Sequence, residues 1–206
     1  MSSSFGPSAS DCAGLLVVIS GPSGVGKSTI CRALVERLEA QLSISATTRP
    51  PGQGERRGED YFFLSEQEFE QRLANNDFLE HAEVFGHLYG TLAEPVMAAL
   101  SAGAIVVLEI DVKGAKQIRQ RFDRALMFLI LPPAPGTLGE RLNTRRRDDE
   151  SIIADRLAKA DGEVRFARES GCYDYTIVND DLEEAINKIM TLINQEKAKN
   201  DRRPQV

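Results

Sequence analysis

Residues 21 to 29 read Gly21-Pro22-Ser23-Gly24-Val25-Gly26-Lys27-Ser28-Thr29 and carry the GxxxxGK[ST] spacing of a phosphate cradle. Backbone N–H groups of such a loop point inward, and a following helix adds its positive end toward phosphate. Lys27 then supplies a charge for the β- and γ-phosphates, and Ser28 a hydroxyl suited to Mg²⁺. Farther on, Glu109 and Asp111 stand two residues apart at the end of an apolar run. On a strand that spacing puts both on one side, where they can meet Mg²⁺ through water or meet a substrate, although Asp111 serves equally as a helix cap. Two basic clusters flank the cradle in sequence: Arg49, Arg56 and Arg57, then Arg141, Arg145, Arg146, Arg147 and Arg156. Phosphoryl transfer depends on positioning and on cations that offset charge on the moving group. Tyr61, Glu80, Tyr89 and Thr91 add hydroxyls and a carboxylate that can build a polar acceptor pocket.

The elements around these residues predict an α/β fold. Leu15 to Ile19 is an apolar strand before the loop, and Thr29 to Leu42 follows with helical spacing of Ile30, Leu34, Val35 and Leu38. Ser43 to Thr48 reads as a strand, and Arg49 to Asp60 as a loop broken by Pro and Gly. Tyr61 to Leu64 is a short strand, and Ser65 with Glu68 makes a capping box for a helix to about Asn75. A strand over Phe78 to Phe85 and a helix over Thr91 to Leu100 come next, the helix ended by Gly103. Ala104 to Ile110 and Leu126 to Leu131 are continuous apolar runs, the signature of parallel strands covered on both faces. Between them Gly114 to Phe122 is a crossover helix. Thr137 to Asn143 and Ser151 to Glu169 read as helices, Tyr173 to Asn179 as a strand, and Asp181 to Ala198 as a final helix.

Composition narrows the setting. The chain has 206 residues, 42% hydrophobic and 27% charged, with a formal charge of −6. These values suit one soluble domain and argue against broad nucleic-acid coating, which needs a basic face. No apolar run approaches the ~18 residues of a membrane span. Cys12, Cys31 and Cys172 are odd in number and widely spaced, so neither a disulfide framework nor a zinc site is expected, and a cytoplasmic location is the simplest setting.

Taken together, Ser45-Ala-Thr-Thr-Arg49, Gly58-Glu-Asp-Tyr61, Phe78-Leu-Glu80, Leu88-Tyr-Gly-Thr91, Leu108-Glu-Ile-Asp111 and Val178-Asn-Asp-Asp181 resemble the guanylate kinase family, from about Leu15 to Ile193. The resemblance implies a P-loop NTPase core with a central parallel sheet flanked by helices, a small mixed α/β GMP-binding insertion and a mobile helical lid. On that pattern residues 1–13 are a flexible leader, 14–42, 97–136 and 157–198 the core, 43–96 the insertion, 137–156 the lid and 199–206 a flexible tail. It implies ATP and GMP as substrates, Mg²⁺ as cofactor, and no nucleic-acid or membrane partner. Residues 21–29 and Asn179 would hold ATP. Arg49, Tyr61 and Tyr89 would hold the GMP phosphate, while Ser45, Glu80 and Thr91 read guanine and Glu109 and Asp111 lie nearby. Lys27, Arg49, Arg141, Arg145 and Arg156 would serve catalysis, with Arg145 on the closing lid. Guanine offers N1–H and N2–H₂ donors to one carboxylate, a pair adenine lacks.

Three positions depart from the family pattern. Gly52 stands where a second phosphate-binding arginine is usual, which leaves Arg56 or Arg57 as possible substitutes; Lys113 replaces a glutamine and Arg146 a lid glycine. Two other functions fit parts of the pattern. One is a non-catalytic interaction domain whose acceptor pocket takes a phosphopeptide, against which the intact Lys27 and Ser28 argue. The other is a related kinase for a different phosphorylated acceptor, against which Glu80 and Thr91 argue. The sequence does not specify an oligomeric state.

Overall fold

The computed structural model describes residues 13–84, 86–134 and 161–200. Its central sheet has five strands, all parallel, in the order β2-β7-β1-β8-β9. They are β1 (Leu15–Ser20), β2 (Gln41–Leu42), β7 (Ile105–Ile110), β8 (Leu126–Leu131) and β9 (Tyr175–Val178). Every residue of β1 and of β8 is buried, as expected for strands covered on both faces. Alternation divides the core into two layers. Leu15, Val17 and Ile19 pack with Ile30 and Leu34 of α1 (Lys27–Leu38) and with Ile186, Ile189 and Ile193 of α6 (Leu182–Asn200). Leu16 and Val18 face the other way, with Val96 and Leu100 of α3 (Ala93–Ser101) and Ala115 and Ile118 of α4 (Val112–Arg121). A further helix, α5, covers residues 161–170.

A second sheet of four strands has the order β4-β3-β6-β5. It contains β3 (Ser45–Thr47), β4 (Phe62–Phe63), β5 (Phe78–Val84) and β6 (His87–Leu92), with β3–β4 parallel and the other pairs antiparallel. Its own small core joins Ala46, Leu64 and Phe78 to Phe69 of α2 (Glu66–Ala74), whose ring stacks on Phe78 at 4.4 Å. The expected capping box is present: Ser65 Oγ accepts from the Glu68 N–H, and the Glu68 carboxylate accepts from the Ser65 N–H. The free edge of β5 is covered by α4. Arg121 donates to the Phe78 carbonyl at 2.6 Å, and the Gln117 amide donates to the His81 carbonyl at 2.7 Å while accepting from the His81 N–H at 3.2 Å. Side chains thus take the place of a neighbouring strand and tie the two sheets together.

Several boundaries differ from those read in the sequence. α1 begins at Lys27, two residues early, because Gly26 turns the chain with φ 100°; it ends at Leu38, where Glu39 takes φ 52°, and Gln41–Leu42 leave to pair with β7. The helix expected over Thr91 to Leu100 starts at Ala93 instead. Thr91 and Leu92 belong to β6, because Thr91 pairs with both Ser45 and Glu80 and the Ala93 N–H is taken by the Asp77 carbonyl at 2.8 Å. The helix over Thr137 to Asn143, the first part of that over Ser151 to Glu169, and the lid, leader and Arg141 to Arg156 lie outside the described residues. So do most of the tail and Cys12. Among the described residues, Cys31 and Cys172 are free and buried, and no helix is long and apolar enough to cross a membrane.

Candidate functional site

The phosphate loop is built by backbone conformations that only glycine adopts readily. Gly21 (φ 147°), Gly24 (φ 81°) and Gly26 (φ 100°) all lie in the positive region. A Cβ on Gly21 would stand 2.2 Å from the Ile130 carbonyl oxygen, so the loop lies directly on β8. Gly26, the N-cap of α1, brings no side chain to the helix's first N–H groups, the arrangement that anion-binding helix ends use. The half-buried Lys27 ammonium bridges the carbonyls of Gly21 (2.7 Å) and Pro22 (3.0 Å) inside its own loop. Burial lowers its pKa, and the negative charge of Glu109 opposes that shift. Ser28 Oγ donates to Glu109 Oε1 at 2.6 Å, which joins the loop to the end of β7.

Across from the loop, strand register assembles Ser45, Thr91 and Glu80 in one row. Ser45 of β3 pairs with Thr91 of β6, and Thr91 pairs with Glu80 of β5. The second pairing depends on a register shift between Phe78 and Glu80. Phe78 opposes Leu92, so regular pairing would set Leu79, not Glu80, against Thr91. The extra residue swings the Glu80 carboxylate into the row, as bulges beside functional sites commonly do. Glu80 is 4% exposed, and Thr91 Oγ1 donates to its Oε1 at 2.6 Å. Burial pushes its pKa up to about 7; the Thr91 hydrogen bond opposes this, and the neighbouring Asp111 charge adds to it.

Members of both groups line one cavity of about 530 Å³, within the range for a small-molecule site, while Thr91 stands behind Glu80 and is not part of the lining. Lys27, Ser28, Glu109 and Asp111 line it from the central sheet, and Ser45, Tyr61, Glu80 and Tyr89 from the second. Asp111 also caps α4, accepting from the Gly114 N–H at 2.7 Å, so capping and a place in the cavity coexist. Arg49 lies beside Tyr61, its guanidinium 5.4 Å from the ring centroid, and Tyr61 meets Tyr89 edge to face at 6.0 Å. That guanidinium is held by Glu55 at 2.8 Å, which raises its pKa and lowers that of Glu55.

Asn179, expected among the ATP-holding residues, lies next to the phosphate loop. It is 3% exposed behind the loop, where its amide donates to the Val25 carbonyl at 2.8 Å. Neither substitute for the arginine missing at Gly52 lines the cavity. Arg56 pairs with Glu59 at the surface, and Arg57 lines a separate cavity beside Phe62 and Arg72. The Glu55 carboxylate instead accepts from the Gly52 N–H at 2.6 Å, an arrangement the sequence reading did not identify. Lys113 is exposed and outside the cavity. Glu163 lines it without having been singled out, since a lone acidic residue on a polar helix face carries no spacing signal; Asp60, quoted within the Gly58-to-Tyr61 motif but given no role, lines it too.

Comparison with known proteins agrees with this geometry. A family model described as guanylate kinase matches residues 14–196. The chain is 45% identical over 192 residues to the guanylate kinase of Carboxydothermus hydrogenoformans, covering 92% of each. It is 43% identical over 195 residues to that of Escherichia coli, covering 93% of each. A crystal structure of guanylate kinase from Anaplasma phagocytophilum superposes with a TM-score of 0.73 at 31% identity, covering 91% of this chain and 88% of that one. With its phosphate loop facing Ser45 and the buried Glu80 across one cavity, the chain belongs to the guanylate kinase family.

Proposed function

We propose that the protein transfers the γ-phosphoryl group of ATP to GMP, giving ADP and GDP, in a Mg²⁺-dependent reaction. The observation that carries this reading is the single cavity that puts Lys27 and Ser28 opposite Glu80. Lys27 would leave the carbonyls of Gly21 and Pro22 for the β- and γ-phosphates, exchanging two neutral acceptors for anionic oxygens. The Glu80 carboxylate would accept from guanine N1–H and N2–H₂ while Thr91 keeps it oriented, and the Ser45 hydroxyl would complete the base pocket. Arg49, set over Tyr61 and next to Tyr89, would take the GMP phosphate in place of Glu55. Arg141, Arg145 and Arg156 are assigned to the donor phosphates, and residues 137–156 to a closing lid, on the sequence pattern alone.

The residues present fit Mg²⁺. Ser28 offers a hydroxyl oxygen beside the carboxylates of Glu109 and Asp111, which is the hard oxygen donor set that ion takes. Among the described residues no cluster of three His, Cys, Asp or Glu side chains forms a complete cage, which suits an ion held largely by substrate phosphates and water. When bound, Mg²⁺ would neutralise charge on the phosphoryl oxygens. Ser28 would turn its hydroxyl lone pair to the metal, and Glu109 would hold that orientation through the hydroxyl proton. An ADP-release assay with GMP, AMP, CMP and UMP, with and without EDTA, tests the proposal. Turnover with GMP that EDTA abolishes supports it; no turnover with any of the four monophosphates overturns it.

A further inference from the structure

Gly114 occupies the third position of α4 in an ordinary right-handed conformation, so no backbone demand explains a glycine there. Glycine is costlier than alanine inside a helix. What explains it is the neighbour: a Cβ on Gly114 would stand 2.4 Å from Glu80 Oε2, 3.1 Å from Glu80 Cδ and 3.4 Å from Asp111 Oδ1. We infer that Gly114 is a specificity-determining position, whose missing side chain makes the space in which the Glu80 carboxylate meets guanine. The inference rests on the proposed role of Glu80 as the guanine acceptor.

The surroundings decide which part gives way when a Cβ is added. α4 is clamped to β5 on both sides of Glu80, by Arg121 on the Phe78 carbonyl and Gln117 on His81, and its first turn is held by Asp111 on the Gly114 N–H. Moving the helix would break several of these contacts together. The Glu80 carboxylate is the end of a flexible side chain, held at Oε1 by Thr91 and wedged at Oε2 against Gly114. It therefore moves, by about 1 Å if the contact is to reach the 3.4 Å of ordinary van der Waals contact. A misplacement of about 1 Å at a reacting or recognition group costs on the order of 100-fold.

The test is a double-mutant cycle on the full chain, read as kcat/KM for GMP over inosine monophosphate, which lacks the exocyclic amine. Gly114→Ala is expected to lower that ratio about 10- to 100-fold, with the KM for ATP unchanged and thermal stability retained. Glu80→Asp withdraws the carboxylate from position 114, so in that background Gly114→Ala is expected to change the ratio less than about twofold. Should Gly114→Ala fail to fold, the double variant must fold, since the shorter acid removes the collision. The inference is overturned if Gly114→Ala keeps the wild-type ratio, if its effect persists undiminished beside Glu80→Asp, or if neither variant folds. Failure of the functional reading looks different, because the wild-type protein itself would then not phosphorylate GMP.

Discussion

With Glu80 as the proposed guanine acceptor, its raised pKa is expected to make GMP binding a proton-linked event, and the size of the effect follows from that pKa. A buried carboxyl that titrates at about 7 is half protonated at neutral pH, whereas guanine requires the carboxylate. The ionised fraction is about 0.9 at pH 8 and about 0.1 at pH 6, so intrinsic GMP affinity is expected to fall roughly tenfold between them, or about 1.4 kcal/mol. Calorimetry at pH 7 in two buffers of different ionisation enthalpy reads the same effect as about half a proton released per GMP bound. The phosphate of GMP, with a second pKa near 6, also contributes protons, but it does so equally in a Glu80→Gln variant. The difference between wild type and variant isolates Glu80. Stability of the unliganded protein must move in step. The folded pKa of about 7 exceeds the unfolded value near 4.5, so the native state binds the extra proton and its stabilisation is lost as pH rises from about 4.5 to 7. Relative to Glu80→Gln, wild type is expected to lose on the order of 3 kcal/mol across that window in urea denaturation. Equal proton release by the two proteins, together with parallel stability profiles, would refute the reasoning.

Three substitutions probe the other parts. Lys27→Ala is expected to lower kcat by 100-fold or more while calorimetric GMP affinity changes little, because the ammonium, now on the Gly21 carbonyl, is the group proposed to take the donor phosphates; a GMP-affinity loss as large as the kcat loss would contradict this. Arg49→Lys removes the planar fork now shared between Glu55 and the Pro50 carbonyl, and steady-state kinetics should give a GMP KM raised about 10-fold or more with ATP KM unaltered. Phe69→Ala empties the centre of the second sheet's core and should cost about 3–5 kcal/mol in denaturant unfolding; a cost below about 1 kcal/mol would show that the Phe69–Phe78 stack does not hold that sheet to α2.

The sequence was most legible where one physical cause acted locally. β1 and β8 are buried along their whole length, so apolar runs marked them, and the Ser65–Glu68 capping box needs only residues three apart. The phosphate loop was legible because its glycines and Lys27 have fixed spacing. What escaped notice depended on distant partners. β6 carries His87, Tyr89, Gly90 and Thr91 between two pairing strands, a composition with no clean alternation, and its end was absorbed into the helix after it. The shift that sets Glu80 opposite Thr91 is a property of pairing, invisible along one strand. Motif resemblance singled out Ser45, Glu80 and Thr91, but only the register explains why they meet. Gly114 and Glu55 were missed for a similar reason, since their neighbours, Glu80 and Arg49, are fixed by packing between α4 and β5 and by the fold of the loop after β3.

The central claim is that a buried carboxylate on β5 selects the phosphoryl acceptor for a phosphate loop on the other sheet. Its most direct test is kcat/KM for GMP against AMP, measured with wild type and with Glu80→Gln under saturating ATP and Mg²⁺. The account predicts a preference for GMP on the order of 10⁴-fold in wild type, reduced at least 100-fold in the variant, with ATP KM unchanged. A variant that keeps the wild-type preference, or a wild type that accepts AMP as readily as GMP, would contradict it.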